Sequence, residues 1–193
     1  MTRFDVDAAI RWGRFNRQRT LEHRSEGDLP FIDRDSSGSQ ALLLDTCVYI
    51  DQLWGRSPAI LERVVVAPHV NHSAIGIVEL MHGIGVLDPG DSRTSSIAAE
   101  IQNLIRRMPR HRICTPDADV LGRAGLLAGV VCRIQGFGKD RRMRALHDCV
   151  LFLQAQKLGL TVLTRDIGDF DVLIQLMPAG RVLFYRQKGK QQA

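Results

Sequence analysis

The chain has 193 residues, 45% of them hydrophobic and 24% charged, enough for the core of one compact domain. Aromatics are only 6%, so that core is expected to be mostly aliphatic, in the manner of α/β proteins. The formal net charge of +5 permits an anionic partner such as nucleic acid without requiring one. No stretch reaches the roughly 18 continuous apolar residues of a membrane span.

The start, MTRFDVDAAIRWGRF, carries acids where a secretory leader needs basic residues, and no apolar run follows. The expectation is a cytoplasmic protein with no membrane association. Its basic side is almost all arginine, with Lys139, Lys157, Lys188 and Lys190 the only lysines. Arginine suits bidentate contact with phosphate, although a GC-rich genome would give the same bias. Cys47, Cys114, Cys132 and Cys149 form no C-x-x-C pair and no zinc-like spacing, and are read as buried free thiols.

Residues 1–40 read as an extension to the domain formed by 41–193. From Arg11 to Arg24 there are five arginines against one acid, Glu22. This stretch is expected to be a solvated or frayed, partly disordered segment, with contact to RNA or a partner as the alternative. DRDSSGSQ then reads as a linker.

Beyond it, strand-like and helix-like segments alternate. LLLD (42–45) is the first strand, and a helix containing VYIDQLW follows, with Asp51 on its surface. HSAIGIVELMHGIG predicts an amphipathic helix with Ile75, Val78, Met81 and His82 on one face. SSIAAEIQNLIRRMP places Ile97, Ile101, Leu104, Ile105 and Met108 along another apolar face that Pro109 stops. Ile113 is a short strand, followed by a helix with Thr115 as N-cap and Pro116 in its first position. A basic loop, QGFGKDRRMR, leads into the helix ALHDCVLFLQAQKLG, closed by Gly159. LTVLT (160–164) is the clearest strand, IGDFDVLIQLMP a short helix, and RVLFYR (181–186) the last strand. Alternation without hairpin signals predicts a parallel sheet covered on both faces.

In such a sheet, function collects at the carboxyl ends of the strands. Two strands end in acids, Asp45 and Asp166, and two more acids, Glu79 and Asp148, sit within apolar helical stretches. A buried carboxylate is unfavourable unless paired or protonated, and the nearest cations other than Arg165 are expected in loops and on polar faces. Four carboxylates converging at one edge would call for a divalent cation, and all-oxygen ligation selects Mg²⁺ or Mn²⁺. Metal-assisted phosphodiester hydrolysis is the matching chemistry. A phosphatase D-x-D is absent, since Cys47 stands two past Asp45, as are a P-loop and a G-x-G-x-x-G between strand and helix.

LLLDTCVYID, SAIGIVELMHGI, ALHDCVLFLQAQKLGLTVLT and RDIGDFDVL together resemble the PIN-domain nucleases, most closely the VapC-type toxins of bacterial type II toxin–antitoxin pairs. The resemblance implies a three-layer α/β/α sandwich with a central parallel sheet, and a Mg²⁺-dependent endoribonuclease. It implies a catalytic and metal-holding quartet of Asp45, Glu79, Asp148 and Asp166, with Asp169 as a further or substitute ligand. Thr46 and Thr164 match hydroxyl positions that orient a carboxylate or water. It also implies an antitoxin partner and a homodimer. Gly76, in place of a Thr or Ser that opens the glutamate helix, and His147, in place of alanine, depart from the pattern, and the extension lies outside it.

Lys139, Arg141, Arg142 and Arg144 are the first choice for RNA phosphate contacts, because they lead into the helix carrying Asp148. Two other classes remain: a non-catalytic nucleic-acid-binding or scaffold protein of the same fold, and a metal-dependent phosphoesterase acting on small substrates.

Overall fold

The computed structural model describes residues 4–12, 20–32, 40–67 and 69–189. Within them, the apolar run Leu42–Leu44 forms β1 at the centre of a parallel sheet. A strand buried on both faces needs no alternation, which is why three consecutive leucines suit it. Next come α2 (Thr46–Leu53), α3 (Ala59–Val65), β2 (Val70–Ser73), α4 (Ala74–Gly85), α5 (Thr94–Arg107) and β3 (Ile113–Cys114). The chain then forms α6 (Ala118–Gln135), α7 (Arg142–Leu158), β4 (Thr161–Thr164), α8 (Ile167–Leu176) and β5 (Val182–Phe184). A short helix, α1 (Val6–Trp12), precedes them all.

All pairings are parallel, in the order β3-β2-β1-β4-β5. The expected three layers are therefore present. Leu42, Leu44, Leu163 and Leu183 face a core built with Val48, Tyr49, Leu61, Leu80 and Ile101 of α2 to α5. Leu43, Val162 and Phe184 face the opposite core, built by α6, α7 and α8. The sequence of connections runs outward from β1 through β2 to β3, then crosses to β4 on the other side of β1. The switch point is thus the crevice between β1 and β4.

The structure corrects several local expectations. Strand β2, VNHS, carries no apolar run; its polar side chains are satisfied locally, Asn71 donating to the carbonyls of Leu42 and His69, and His72 meeting the Tyr49 hydroxyl at 2.7 Å. On α4, Val78 and Met81 are each 51% exposed, and the buried stripe is Gly76 and Leu80 with Ile77 and Ile84 beside it. That helix is apolar on nearly every side, so periodicity could not choose the face. Ser73 caps it, accepting from the Ile75 amide, so Gly76 lies inside the first turn rather than at the cap. Asp117, not Thr115, caps α6 by accepting from Val120 N at 3.0 Å. Of the four free thiols only Cys149 is buried; Cys47, Cys114 and Cys132 are half-buried. Gly159 does end α7, at φ 69°, a conformation that favours glycine.

The first forty residues contribute to the core where they are described. Leu29, Phe31 and Ile32 are buried, and Phe31 forms a parallel bridge with Phe184. Ile32 N donates to the Phe184 carbonyl and Phe184 N to the Pro30 carbonyl, so this segment covers the β5 edge. Arg24 is tied to the domain: its backbone N–H and its guanidinium both bond to buried Asp171, at 2.8 and 2.6 Å. Arg14, Arg17 and Arg19, and residues 33–39 of the expected linker, lie outside the described residues.

Candidate active site

Strand β1 delivers Asp45 to the crevice between β1 and β4, where its amide donates to the Leu163 carbonyl at 3.1 Å. Asp45 stands at the N-cap position of α2, yet its side chain makes no cap hydrogen bond. The carboxylate is turned to other partners. Its Oδ2 accepts from the Thr164 hydroxyl at 2.5 Å and from the Cys47 thiol at 3.0 Å. Burial pushes the Asp45 carboxyl up from the ordinary carboxylate value, the Cys47 and Thr164 hydrogen bonds oppose this, and the charges of Glu79 and Asp166 add to it. Burial and the Asp45 charge also raise the Cys47 thiol, so it stays protonated and donates.

The other predicted acids reach the same place from three further elements. A cleft of about 630 Å³ is lined by Asp45, Thr46, Cys47, Glu79, Arg144, Asp148, Arg165 and Asp166, with Ile50, Ile167 and Gly168 completing its walls. Glu79, from the middle of α4, accepts from the Thr46 hydroxyl through Oε2, and its Oε1 lies 2.9 Å from His147 Nδ1. His147 is therefore a partner of the glutamate rather than a surface side chain. Asp148, one turn and a half into α7, is 8% exposed, and its Oδ2 has no hydrogen-bond partner. Burial raises its carboxyl well above the ordinary range, reinforced by Asp45, Asp166 and Asp169 and opposed by Arg144.

Asp166 follows β4 and caps α8, accepting from the Asp169 amide at 3.1 Å, while its own amide donates to Thr164 Oγ1 at 2.9 Å. Thr164 thus bridges Asp45 and the Asp166 backbone across the two central strands. Asp169 stands behind the cleft rather than on its wall; Arg141 Nη2 binds it at 2.9 Å. Burial and Asp166 raise its carboxyl, and Arg141 and Arg144 oppose them.

Two features were not expected from the residues. The first is cationic: Arg144 reaches into the cleft and pairs with Asp166, 3.5 Å from Asp169 and 3.9 Å from Asp148. Cations are thus not confined to loops and polar faces around these acids. The i, i+4 spacing of Arg144 and Asp148 on one helix was the available signal. Lys139 and Arg141 lie on a single 3₁₀ turn, and Arg142 and Arg144 on the first turn of α7, rather than in a loop. The second is Asp51, which is 0% exposed and bonded to the Tyr185 hydroxyl and the Gln187 amide, each at 2.8 Å. It belongs to the interior, not to the helix surface.

Among the described residues no three His, Cys, Asp or Glu side chains stand close enough to hold one metal ion. The donor chemistry nevertheless fits a hard divalent cation. The cleft offers carboxylate oxygens from four elements, and Asp148 Oδ2 is a buried oxygen left without a partner. A larger groove of about 790 Å³ between α2 and α5 has Glu100 as its one acid and offers no comparable set.

No family model matches the chain, and no curated protein matches it. Solved structures do. The chain is similar to a VapBC2 complex from Rickettsia felis bound to a promoter DNA fragment, with a TM-score of 0.50 and 12% identity over 75% of this chain and 98% of that one. It is similar to FitAB bound to an IR36 DNA fragment, with a TM-score of 0.51 and 23% identity over 79% and 99%. A DNA-bound VapBC from Salmonella typhimurium matches with a TM-score of 0.50 and 20% identity over 74% and 96%. The fold is PIN-like. At these identities the likeness speaks for architecture, and the five-stranded parallel sheet with helices on both faces is what the PIN-like chains share with this one.

Proposed function

We propose that this PIN-like chain is a metal-dependent endoribonuclease that hydrolyses phosphodiester bonds and acts as the toxin of a type II toxin–antitoxin pair. The observation that carries this reading is the convergence of Asp45, Glu79, Asp148 and Asp166 on one cleft at the β1/β4 switch point, with Asp148 Oδ2 unpartnered. The fold likeness to VapBC and FitAB structures supports the toxin assignment, an antitoxin partner and a homodimer.

Asp45, Glu79, Asp148 and Asp166 would hold Mg²⁺ or Mn²⁺, with Asp169 behind Asp166 as a further carboxylate. Bound there, the cation supplies Lewis acidity for a water nucleophile and offsets charge on the scissile phosphate. The chain's own groups do the positioning. Thr164 and Cys47 fix the Asp45 carboxylate, and Thr46 and His147 fix that of Glu79. One carboxylate of the cleft would help remove a proton from the attacking water. Lys139, Arg142 and Arg144 provide phosphate contacts at the start of α7, while Arg141 is tied to Asp169. No serine or histidine nucleophile is required, so no covalent intermediate is expected. RNA as substrate and a cytoplasmic site of action belong to the same proposal; among the described residues no helix is long and apolar enough to cross a membrane.

The test is cleavage of a mixed RNA pool with Mg²⁺ and with EDTA, comparing wild type with Asp45→Asn and Asp148→Asn. Cleavage that needs the divalent cation and falls at least about a hundredfold in both variants is expected. Undiminished cleavage in both variants would remove the cleft from consideration. Absence of cleavage together with absence of divalent binding would favour a scaffold, in which Arg141 and Arg144 neutralise the acids permanently.

A further inference from the structure

The carboxylate cleft already contains a cation supplied by the chain. Arg144 sits four residues before Asp148, so its side chain lies along the same face of α7. It pairs with Asp166 and also approaches Asp169 and Asp148. The two neighbouring arginines are held in other ways. Arg141 stacks on Phe137, 3.8 Å from the ring centroid, while bonded to Asp169. Arg165 is tied to buried Asp51 at 2.8 Å. Arg144 has a side chain 60% exposed and, among the described residues, carboxylates as its only ionic partners.

We infer that Arg144 is an exchangeable counter-ion: it neutralises the carboxylates while the divalent cation is absent, and moves to a substrate phosphate when the cation is bound. The inference rests on the metal-dependent reading of the cleft. A divalent charge bound among these carboxylates would be added beside a guanidinium that already pairs with Asp166. Asp148 Oδ2 takes no hydrogen bond from this arginine, because 3.9 Å lies beyond hydrogen-bond reach. This buried oxygen therefore stays without a hydrogen bond while Asp166 is held by the guanidinium. Once displaced, the guanidinium remains on the wall of the same cleft, and its planar fork matches two phosphate oxygens.

The arrangement makes two effects of one side chain opposite in sign. Removing Arg144 should strengthen cation binding and weaken substrate turnover. A residue that only grips RNA would leave cation affinity alone, and a residue that only supports the fold would lower both.

Mn²⁺ binding to the metal-stripped full chain, followed by the electron paramagnetic resonance of free Mn²⁺, tests this directly. Wild type, Arg144→Gln, Arg144→Lys, Asp148→Asn and Arg106→Gln are compared, the last removing one positive charge outside the cleft. Arg144→Gln is expected to bind Mn²⁺ about tenfold more tightly than wild type, yet to cleave RNA about tenfold more slowly at saturating Mn²⁺. Arg144→Lys keeps the charge without the fork, so its Mn²⁺ affinity should stay near wild type while cleavage slows. Arg106→Gln should match wild type in Mn²⁺ affinity. Equal or weaker Mn²⁺ binding by Arg144→Gln, with wild type binding normally and Asp148→Asn weakened, would overturn the exchange while leaving the metal site intact. No Mn²⁺ binding by wild type or by Arg144→Gln would overturn the metal-dependent reading itself.

Discussion

Arg165 Nε lies 2.8 Å from Oδ2 of Asp51, an ion pair whose acidic member is fully buried. The nitrogen's N–H points off that line, so the contact is electrostatic rather than a hydrogen bond. Asp51 fills its remaining capacity with the Tyr185 hydroxyl and the Gln187 amide. One carboxylate thereby joins α2, the β4–α8 junction and the segment after β5, directly behind the wall that carries Asp45 and Asp166. Removing one member of a buried pair leaves the others unsatisfied. Asp51→Ala is expected to destabilise the chain by about 2–4 kcal/mol, reduced from the full buried-pair figure because Arg165 is partly exposed. Urea unfolding measures it, and a loss below about 1 kcal/mol would show that water replaces these contacts freely.

Thr164 is fully buried, and its one hydroxyl joins two acids, donating to Asp45 Oδ2 and accepting from the Asp166 amide. Thr164→Val keeps the shape and removes both. Groups that orient a ligand typically matter about 10- to 100-fold in metal affinity or activity. RNA cleavage should fall by that factor, with Mn²⁺ affinity falling alongside it. Retention of full activity would mean that Asp45 is placed by its backbone alone.

The Arg24–Asp171 contact predicts a pH dependence. Burial raises the Asp171 carboxyl, but the Arg24 amide and guanidinium, with Gln175, outweigh it and leave the group below its ordinary 3.8. A depressed folded pKa means that the unfolded chain binds the proton first. The stabilisation is therefore complete above about pH 4 and lost as pH falls through the folded value. Arg24→Ala should destabilise the chain by about 1–2 kcal/mol at pH 7, allowing for the exposure of Arg24. The gap from wild type should narrow as pH falls below about 4. Urea midpoints measured at neutral pH and at about pH 3 check this; a gap independent of pH would point to lost packing instead.

Phe31 measures how far the first forty residues belong to the domain. Its ring is fully buried against Phe184 at 5.9 Å, with the Arg186 guanidinium 3.6 Å from its centroid. Phe31→Ala should lower stability by about 3–5 kcal/mol, as expected for emptying a packed aromatic site. Thermal or urea unfolding of the full chain provides the figure. A change of less than about 1 kcal/mol would show that the segment lies on the domain without supporting it.

Much of this protein was legible in its residues because it depends on local patterns. Leu42–Leu44 read as a buried strand, Ile97 to Met108 as a helical face, and Gly159 as a helix end, since apolar runs, 3.6-residue spacing and left-handed caps need no knowledge of the rest of the chain. The acids at 45, 79, 148 and 166 were legible for a related reason: the first and last follow strand-like runs, and the other two sit within apolar helical stretches. Strand β2 was not, because its polar residues acquire partners only after the sheet assembles. The buried face of α4 was equally hidden, since an apolar residue lies on nearly every side of that helix.

By itself the sequence determined the alternation of elements and which carboxylates stand at strand ends or within apolar helices. Only the tertiary structure decided what meets those carboxylates. Arg144 reaching Asp166, His147 reaching Glu79, Arg165 reaching Asp51 and Phe31 covering the β5 edge all join residues distant in the chain. Ion pairs and packing act through space over a few ångströms, and the chain order carries no record of which distant residues the crossover from β3 to β4 will bring within that range.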